Sequence, residues 1–261
     1  MSNGIRLWAE DKKTGQIIHL GGEYTWGDCM EVRARFEWLA EQGILPLDGD
    51  YGDGVVAQIV LLTDGIDWIA NYIVPLYPNA VAILDAFHVA QQASEAIKAV
   101  YPGKKNDKKV AALIKKARRA LGFRERRERK KKRGGPRNKR HKTRASGYDG
   151  SGERLLDEVL RPLLEVAVRG RKRLEQAIAY VERNLHRTDF GALRTRRFQI
   201  GSGAMESLHR TGSQARLKRA GCHWTAEVAQ AILNLRMLGL SGRWKEYWSQ
   251  PTLPHLALKA C

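Results

Sequence analysis

The sequence predicts an α/β fold, on three observations. Two short apolar runs, 58–63 and 80–84, flank a stretch in which Trp68, Ile69, Tyr72, Ile73 and Leu76 recur at three-to-four spacing, the pattern of strand, amphipathic helix and strand. Two further strand candidates, 5–9 (IRLWA) and 16–20 (QIIHL), precede them. From Val89 onward the apolar periodicity turns helical. An α/β front and a helical back is the expected layout.

Taken in order, the first two strand candidates enclose Asp11–Gly15 (DKKTG), a turn-rich linker of hairpin type. Asp28 is placed to N-cap a helix from Cys29 to Gln42, with Val32, Phe36, Leu39 and Ala40 on one face and Gly43 as its stop. The loop Pro46–Gly54 (PLDGDYGDG) holds three aspartates. It lacks the closing glutamate of a calcium loop, and turn chemistry accounts for it. The first apolar run then ends in Asp64 and Gly65, and the second in Asp85 with His88 three residues on. Open α/β sheets keep their ligand sites at that edge, where strands deliver their C-terminal residues.

Beyond Asp85, Val89, Ala93, Ile97 and Val100 form one stripe that stops at Pro102 and Gly103. Residues 108–121 read as a basic amphipathic helix carrying Val110, Leu113, Ile114, Ala117 and Leu121. Arg124–Arg144 has almost no apolar residues and is broken by Gly134, Gly135 and Pro136, so it is expected to be disordered by itself. Helical patterning resumes at Ser151 and Gly152, with Leu155, Leu156, Val159, Leu160, Leu163 and Leu164 in a stripe that Pro162 kinks. Leu174, Ile178 and Val181 continue it toward Asn184. Three parts are expected: 1–100 as an incomplete α/β core, 101–152 as a basic insertion, and 153–261 as a helical region completing the core.

Composition bounds the function. At 261 residues and 43% hydrophobic content the chain is long enough for a substantial core. No apolar run approaches the eighteen or so residues a membrane span needs. The N-terminus lacks the charged-then-apolar layout of a secretory signal. Cys29, Cys222 and Cys261 are odd in number and far apart, which suggests neither a disulfide framework nor a zinc site; a reducing cytoplasm is the simplest home. The net charge of +18 is concentrated: 104–144 carries 21 Lys and Arg against Asp107, Glu125 and Glu128, and the remainder is neutral. A polyanion, nucleic acid above all, is the partner this implies.

One more stretch stands out, Phe198–Trp224 (FQIGSGAMESLHRTGSQARLKRAGCHW). Gly201, Ser202 and Gly203 break the chain, and 204–217 can be helical with Ser202 as N-cap and Glu206 in the first turn. Glu206 reads as a plain helix-start glutamate favoured by the dipole, or as a reactive carboxylate among Arg210, Arg216, Lys218 and Arg219, with Trp224 closing the segment. The second reading suits phosphodiester chemistry: carboxylates hold divalent metal, cations hold phosphates, and an aromatic stacks on a base. For His88 a locally hydrogen-bonded strand-end histidine stays open, as does a core role for Trp224. Trp244, Tyr247 and Trp248 read as core packing.

Asp64 and Gly65 with Trp68, Tyr77 and Pro78 before a strand, and Leu84-Asp85-x-x-His88 resemble the catalytic half of DDE transposases. Ile200–Ser207 (IGSGAMES) strengthens the match. Within that superfamily the chain is most similar to bacterial insertion-sequence transposases of the ISKra4 type, related to the Mutator-like group. Arg216–Trp224 (RLKRAGCHW), Ala229–Arg236 (AQAILNLR) and Gly242–Trp244 (GRW) carry that likeness, which spans residues 5–248.

The resemblance implies an RNase H-like core, a mixed sheet flanked by helices in which two aspartates and a glutamate surround two divalent ions, Mg²⁺ or Mn²⁺. It makes Asp64 the second acidic residue and metal ligand, Glu206 the third, and Asp85 with His88 an auxiliary element beside the site. It implies transposon-end and target DNA as partners, bound in part through Arg210, Arg216, Lys218, Arg219 and Trp224, in a nucleoid-associated bacterial protein, with a homo-oligomer as a further expectation. The family's first aspartate sits on a strand ahead of the hairpin. Only Met1–Gly4 precede the hairpin here, so the expectation is an N-terminally truncated copy with weak or no strand cleavage. The alternative from another class is a nucleic-acid-binding protein without catalysis, using 104–144 alone.

Overall fold

The computed structural model describes residues 2–10, 17–26, 28–52, 54–123, 149–218 and 221–249. The Asp11–Gly15 turn, the Arg124–Arg144 run and Arg219 lie outside them. In chain order the elements are β1 (Ser2–Glu10), β2 (Ile17–Trp26), α1 (Cys29–Glu41), β3 (Val60–Thr63), α2 (Asp67–Tyr72), β4 (Val81–Leu84), α3 (Ala86–Val100) and α4 (Asp107–Ala120). Helices follow: α5 (Gly152–Leu155), α6 (Arg161–Val166), α7 (Arg171–Arg183), α8 (Phe190–Thr195), α9 (Gly203–His209), α10 (Ala215–Leu217), α11 (Ala226–Leu240) and α12 (Trp244–Ser249). The class is mixed α/β and mostly helical. The described strands pair two by two, β1 with β2 and β3 with β4.

Two compact units divide the chain: Met1–Leu61, Ile66–Ala82 and Ser202–Cys261 form one, and Leu62–Gly65 with Ile83–Gly201 the other. In the first, β1 and β2 pair antiparallel from Ser2 opposite Trp26 to Glu10 opposite Ile17, with an irregularity at Leu7/Trp8. Asp28 caps α1 through a capping box: its carboxylate accepts from the Met30 and Glu31 N–H groups, and Glu31 reaches back to the Asp28 N–H. In the 46–54 loop, Asp48 accepts from Asp50 N–H at 3.0 Å and Asp50 from Gly52 N–H at 2.8 Å, so these two aspartates work as turn formers.

Tyr24, Leu208, Leu233 and Met237 make one core cluster of this unit, and Ile59, Leu61 and Tyr77 another, with Phe36 and Leu45 packed on it. Burying each such large side chain contributes roughly 1.5–3 kcal/mol. Trp244 and Trp248, expected in the core, are instead exposed and pack edge-on against each other. α12 is a six-residue helix near the end of the described chain.

In the second unit, the apolar stripe of α3 is buried at Val89, Ala93, Ile97 and Val100, as its spacing predicts. A π-helical turn, Leu156–Leu160, sits between α5 and α6 immediately before Pro162, whose missing N–H and ring disturb the regular ladder. The two ends of the 124–148 stretch meet: Ser151 N–H donates to the Ala120 carbonyl at 3.0 Å. A Cβ on Gly150 would stand 2.3 Å from the Gly122 nitrogen, so only glycine allows that approach.

Both β3 and β4 begin in the first unit and end in the second. Val81 N–H donates to the Ile59 carbonyl at 2.9 Å and Asp85 N–H to the Thr63 carbonyl at 2.7 Å. The equal advance along both strands makes the pair parallel, and it carries Asp64 and Asp85 to neighbouring C-terminal ends.

Candidate active site at the ends of the parallel strands

Asp85 is 4% exposed and N-caps α3, accepting from the Phe87 N–H at 2.8 Å. The strand therefore turns straight into the helix, whose first turn carries His88. The His88 Nε2 lies 3.1 Å from Gln92 Nε2. Gln92 is held by Arg173, which donates to its Oε1 at 2.5 Å and to Glu95 Oε2 at 2.7 Å. That hydrogen bond from Arg173, with a second from Gln91, keeps the Glu95 carboxyl below its ordinary range.

Asp64 is half-buried at the end of β3, followed by Gly65 at φ +80°. A Cβ there would meet Leu84 Cδ1 at 2.6 Å and the Tyr180 ring at 3.1 Å. The turn after Asp64 is thus built on glycine for both backbone and space. The Tyr180 hydroxyl donates to the Asp64 carbonyl at 2.7 Å, and its ring packs edge-on to His88 with centroids 6.0 Å apart. Burial, reinforced by the negative charge of Asp64, pushes the Tyr180 hydroxyl far above its ordinary pKa, so it remains a donor.

Arg187 completes the cluster. It is 5% exposed, donates to Thr63 Oγ1 at 3.3 Å and to Asn184 Oδ1, and leaves its Nε without a partner. Burial lowers its pKa, with the Tyr180 and Asp64 charges acting the other way. A buried guanidinium costs desolvation energy unless it is hydrogen-bonded and near opposite charge, and Arg187 has both, in its bonds to Thr63 and Asn184 and in the attraction of Asp64. The backbone at Asp64 is fixed by Tyr180, and Arg187 holds the side chain of Thr63 one residue before it.

Sequence reasoning placed Asp64, Asp85 and His88 at the strand ends, and the structure puts all three in the second unit, Asp64 and Asp85 directly after adjacent parallel strands and His88 in the first turn of α3. It missed Tyr180, Asn184 and Arg187, which stand at i, i+4 and i+7. A polar stripe at helical period beside the apolar stripe Leu174, Ile178 and Val181 was the available signal.

Glu206, Arg210, Arg216, Lys218 and Trp224 belong to the first unit. Glu206 is exposed in α9, its N–H bonded to the Ser202 carbonyl at 3.0 Å. Arg210, Arg216 and Lys218 are exposed, and Trp224 is 36% exposed; a core role for that tryptophan is therefore not what the fold gives it.

Residues 56–211, more than half of the chain, match the model of a family described as transposase, the ISL3 type. The chain belongs to this transposase family. No curated protein matches, and no solved structure does. The matched span holds every residue of the cluster at the strand ends and Glu206. Membership assigns the chain a role in DNA transposition, with DNA as its partner. Among the described residues no helix is long and apolar enough to cross a membrane.

Transposases of this kind use divalent metal, so the donor set bears a test. Asp64 and Asp85 offer hard oxygen ligands, but Asp85 commits one oxygen to capping α3. Among the described residues no group of three or more His, Cys, Asp or Glu side chains gathers as a metal site. Two ions clamping the oxygens of a phosphodiester need more carboxylates than that. The set falls short of a two-ion centre.

Proposed function

We propose that this transposase region acts on DNA phosphodiesters during movement of an insertion sequence, by strand cleavage and transfer on an RNase H-like core. The observation that carries the reading is the family match over 56–211 together with two aspartates at the ends of adjacent parallel strands, the edge where such sheets keep their sites. Asp64 is the principal acidic residue, positioned by Tyr180 and Arg187. The resemblance gives Glu206, in α9 of the first unit, a catalytic role as well, and Asp85 and His88 an auxiliary one. Carboxylate oxygens are hard donors, so a divalent ion held by this chain's acids would be of the Mg²⁺ or Mn²⁺ class. The C-terminal segments Arg216–Trp224 and Ala229–Arg236, which lie beyond the matched span, support the finer assignment to the ISKra4 type. Arg210, Arg216, Lys218 and Arg219 contact phosphates, giving salt-dependent and sequence-blind affinity.

The test is nicking of supercoiled plasmid with Mg²⁺ or Mn²⁺ by the chain and by Asp64→Asn and Glu206→Gln, alongside DNA binding by all three. Divalent-dependent nicking lost in both variants, with binding kept, supports the proposal. Equal nicking by Asp64→Asn and the unaltered chain overturns it. Strong binding with no nicking in any of them favours a second reading, DNA binding without cleavage. The basic stretch 104–144 speaks for that reading.

A further inference from the structure

Phe87 is the least expected residue in the second unit. It follows the buried Asp85 by two positions and precedes His88, yet its side chain is 47% exposed. A lone exposed phenylalanine is ordinary, but this one is part of an arrangement. Its ring lies 4.9 Å from that of Phe123, tilted by 51°. Behind it, Gly201 leaves room that no other residue would: a Cβ there would come within 2.4 Å of Phe87 Cδ2. The ring is therefore seated on backbone on one side and on Phe123 on another, and still exposed to solvent.

The surroundings are cationic. The Arg118 guanidinium stands 5.1 Å from the Phe123 centroid and that of Arg194 5.9 Å, with Arg194 also donating to the Gly122 carbonyl at 2.6 Å. Arg118 belongs to α4, whose sequence DKKVAALIKKARRA holds six basic residues against Asp107. Aromatic rings bordered by guanidinium groups present a flat π-face to a base and positive charge to the phosphates on either side of it. A base inside a duplex has no free face to offer; an unpaired one does.

We propose that Phe87, backed by Phe123 with Arg118 and Arg194 at that second ring, is a stacking platform for an unpaired DNA base beside the strand-end carboxylates. The proposal rests on the transposase reading for its choice of DNA, and adds that the strand is held with a base out of its stack.

The experiment measures binding of the full chain to a fluorescein-labelled single-stranded oligonucleotide and to the same sequence as a blunt duplex, by anisotropy at fixed salt. Phe87→Leu keeps the apolar contact with Gly201 and removes the π-face; Phe87→Trp keeps the face. The expected result is a single-strand affinity about tenfold weaker for Phe87→Leu, within the range that base–aromatic stacking gives on substitution. Duplex affinity should stay within about twofold and Phe87→Trp should restore binding. A circular dichroism melt of each variant separates unfolding from lost stacking. As a second measurement, a 5-iodouracil oligonucleotide irradiated with the unaltered chain should crosslink at Phe87. Unchanged single-strand affinity in Phe87→Leu, an equal loss on single strand and duplex, or crosslinks only elsewhere would overturn the platform and leave the transposase reading standing. No binding of the unaltered chain to either DNA would overturn both.

Discussion

The hydroxyl of Tyr180 donates to the main-chain carbonyl of Asp64 at 2.7 Å across 116 residues of sequence. This bond ties α7 to the end of β3 and sets the backbone from which the Asp64 carboxylate projects. Tyr180→Phe removes it with almost no change of shape. The expected cost is about 1 kcal/mol, the usual net value of an intramolecular hydrogen bond, read as a lower urea midpoint with the m-value unchanged. An unaltered midpoint would show that the bond contributes nothing to the fold.

Arg187 supplies the second restraint on the same strand end. Arg187→Met keeps the length of the side chain but strands Thr63 Oγ1 and Asn184 Oδ1 as acceptors and removes the cation beside Asp64. The fold should lose about 2 kcal/mol, and Arg187→Lys should recover only part of it, since an ammonium lacks the planar fork. A fully stable Arg187→Met protein would mean that desolvation of the guanidinium cancels all it gains.

Gly65→Ala combines a left-handed backbone with a Cβ 2.6 Å from Leu84 Cδ1. Strain and overpacking together should cost about 2–4 kcal/mol. The same substitution at Gly43, where φ is +66° and no atom lies within 4 Å, should cost only the backbone part. Thermal melts of the two variants give the comparison, and equal losses would show that the Leu84 contact relaxes freely.

The pH dependence has a definite sign at His209. Burial first, and then the charge of Lys218, lower its pKa below the ordinary 6.5; its Nδ1 lies 2.8 Å from the Tyr24 hydroxyl. The unfolded chain therefore takes up the proton more readily than the folded one. The neutral ring's contribution is complete above about pH 6.5. It drains away as the pH falls from there through the lowered folded value. Denaturation midpoints at pH 7.5 and 5.5 should diverge for the unaltered chain and draw closer in His209→Asn. Parallel lines for the two proteins would exclude the histidine as the source.

Much of this was legible in the residues. The strand runs of β1 and β2, the Asp28 N-cap and the stripe of α3 are local signals, and local physics produced the elements they imply. Asp64 and Asp85 were legible because a short apolar run ending in an acid has one obvious geometry. Arg187 was not, because a charged residue near a helix end is by default solvated, and only the contacts of Thr63 and Asn184 make its burial tolerable. Phe87 escaped for the opposite reason: the seat of its ring depends on Gly201, more than a hundred positions away. The tryptophans of α12 show the limit of composition, since an aromatic cluster needs something to cover it.

The meeting of Gly122 with Gly150 has a consequence of another kind. The intervening residues 124–148 bring 13 Lys and Arg against Glu125 and Glu128, and the described chain on either side of them comes together at one point. Closing a loop at its base costs an entropy that grows only slowly with its length. Insertions or deletions between the two glycines would therefore change the charge carried there at little cost to the fold that closes it, with Gly122 and Gly150 as the seam.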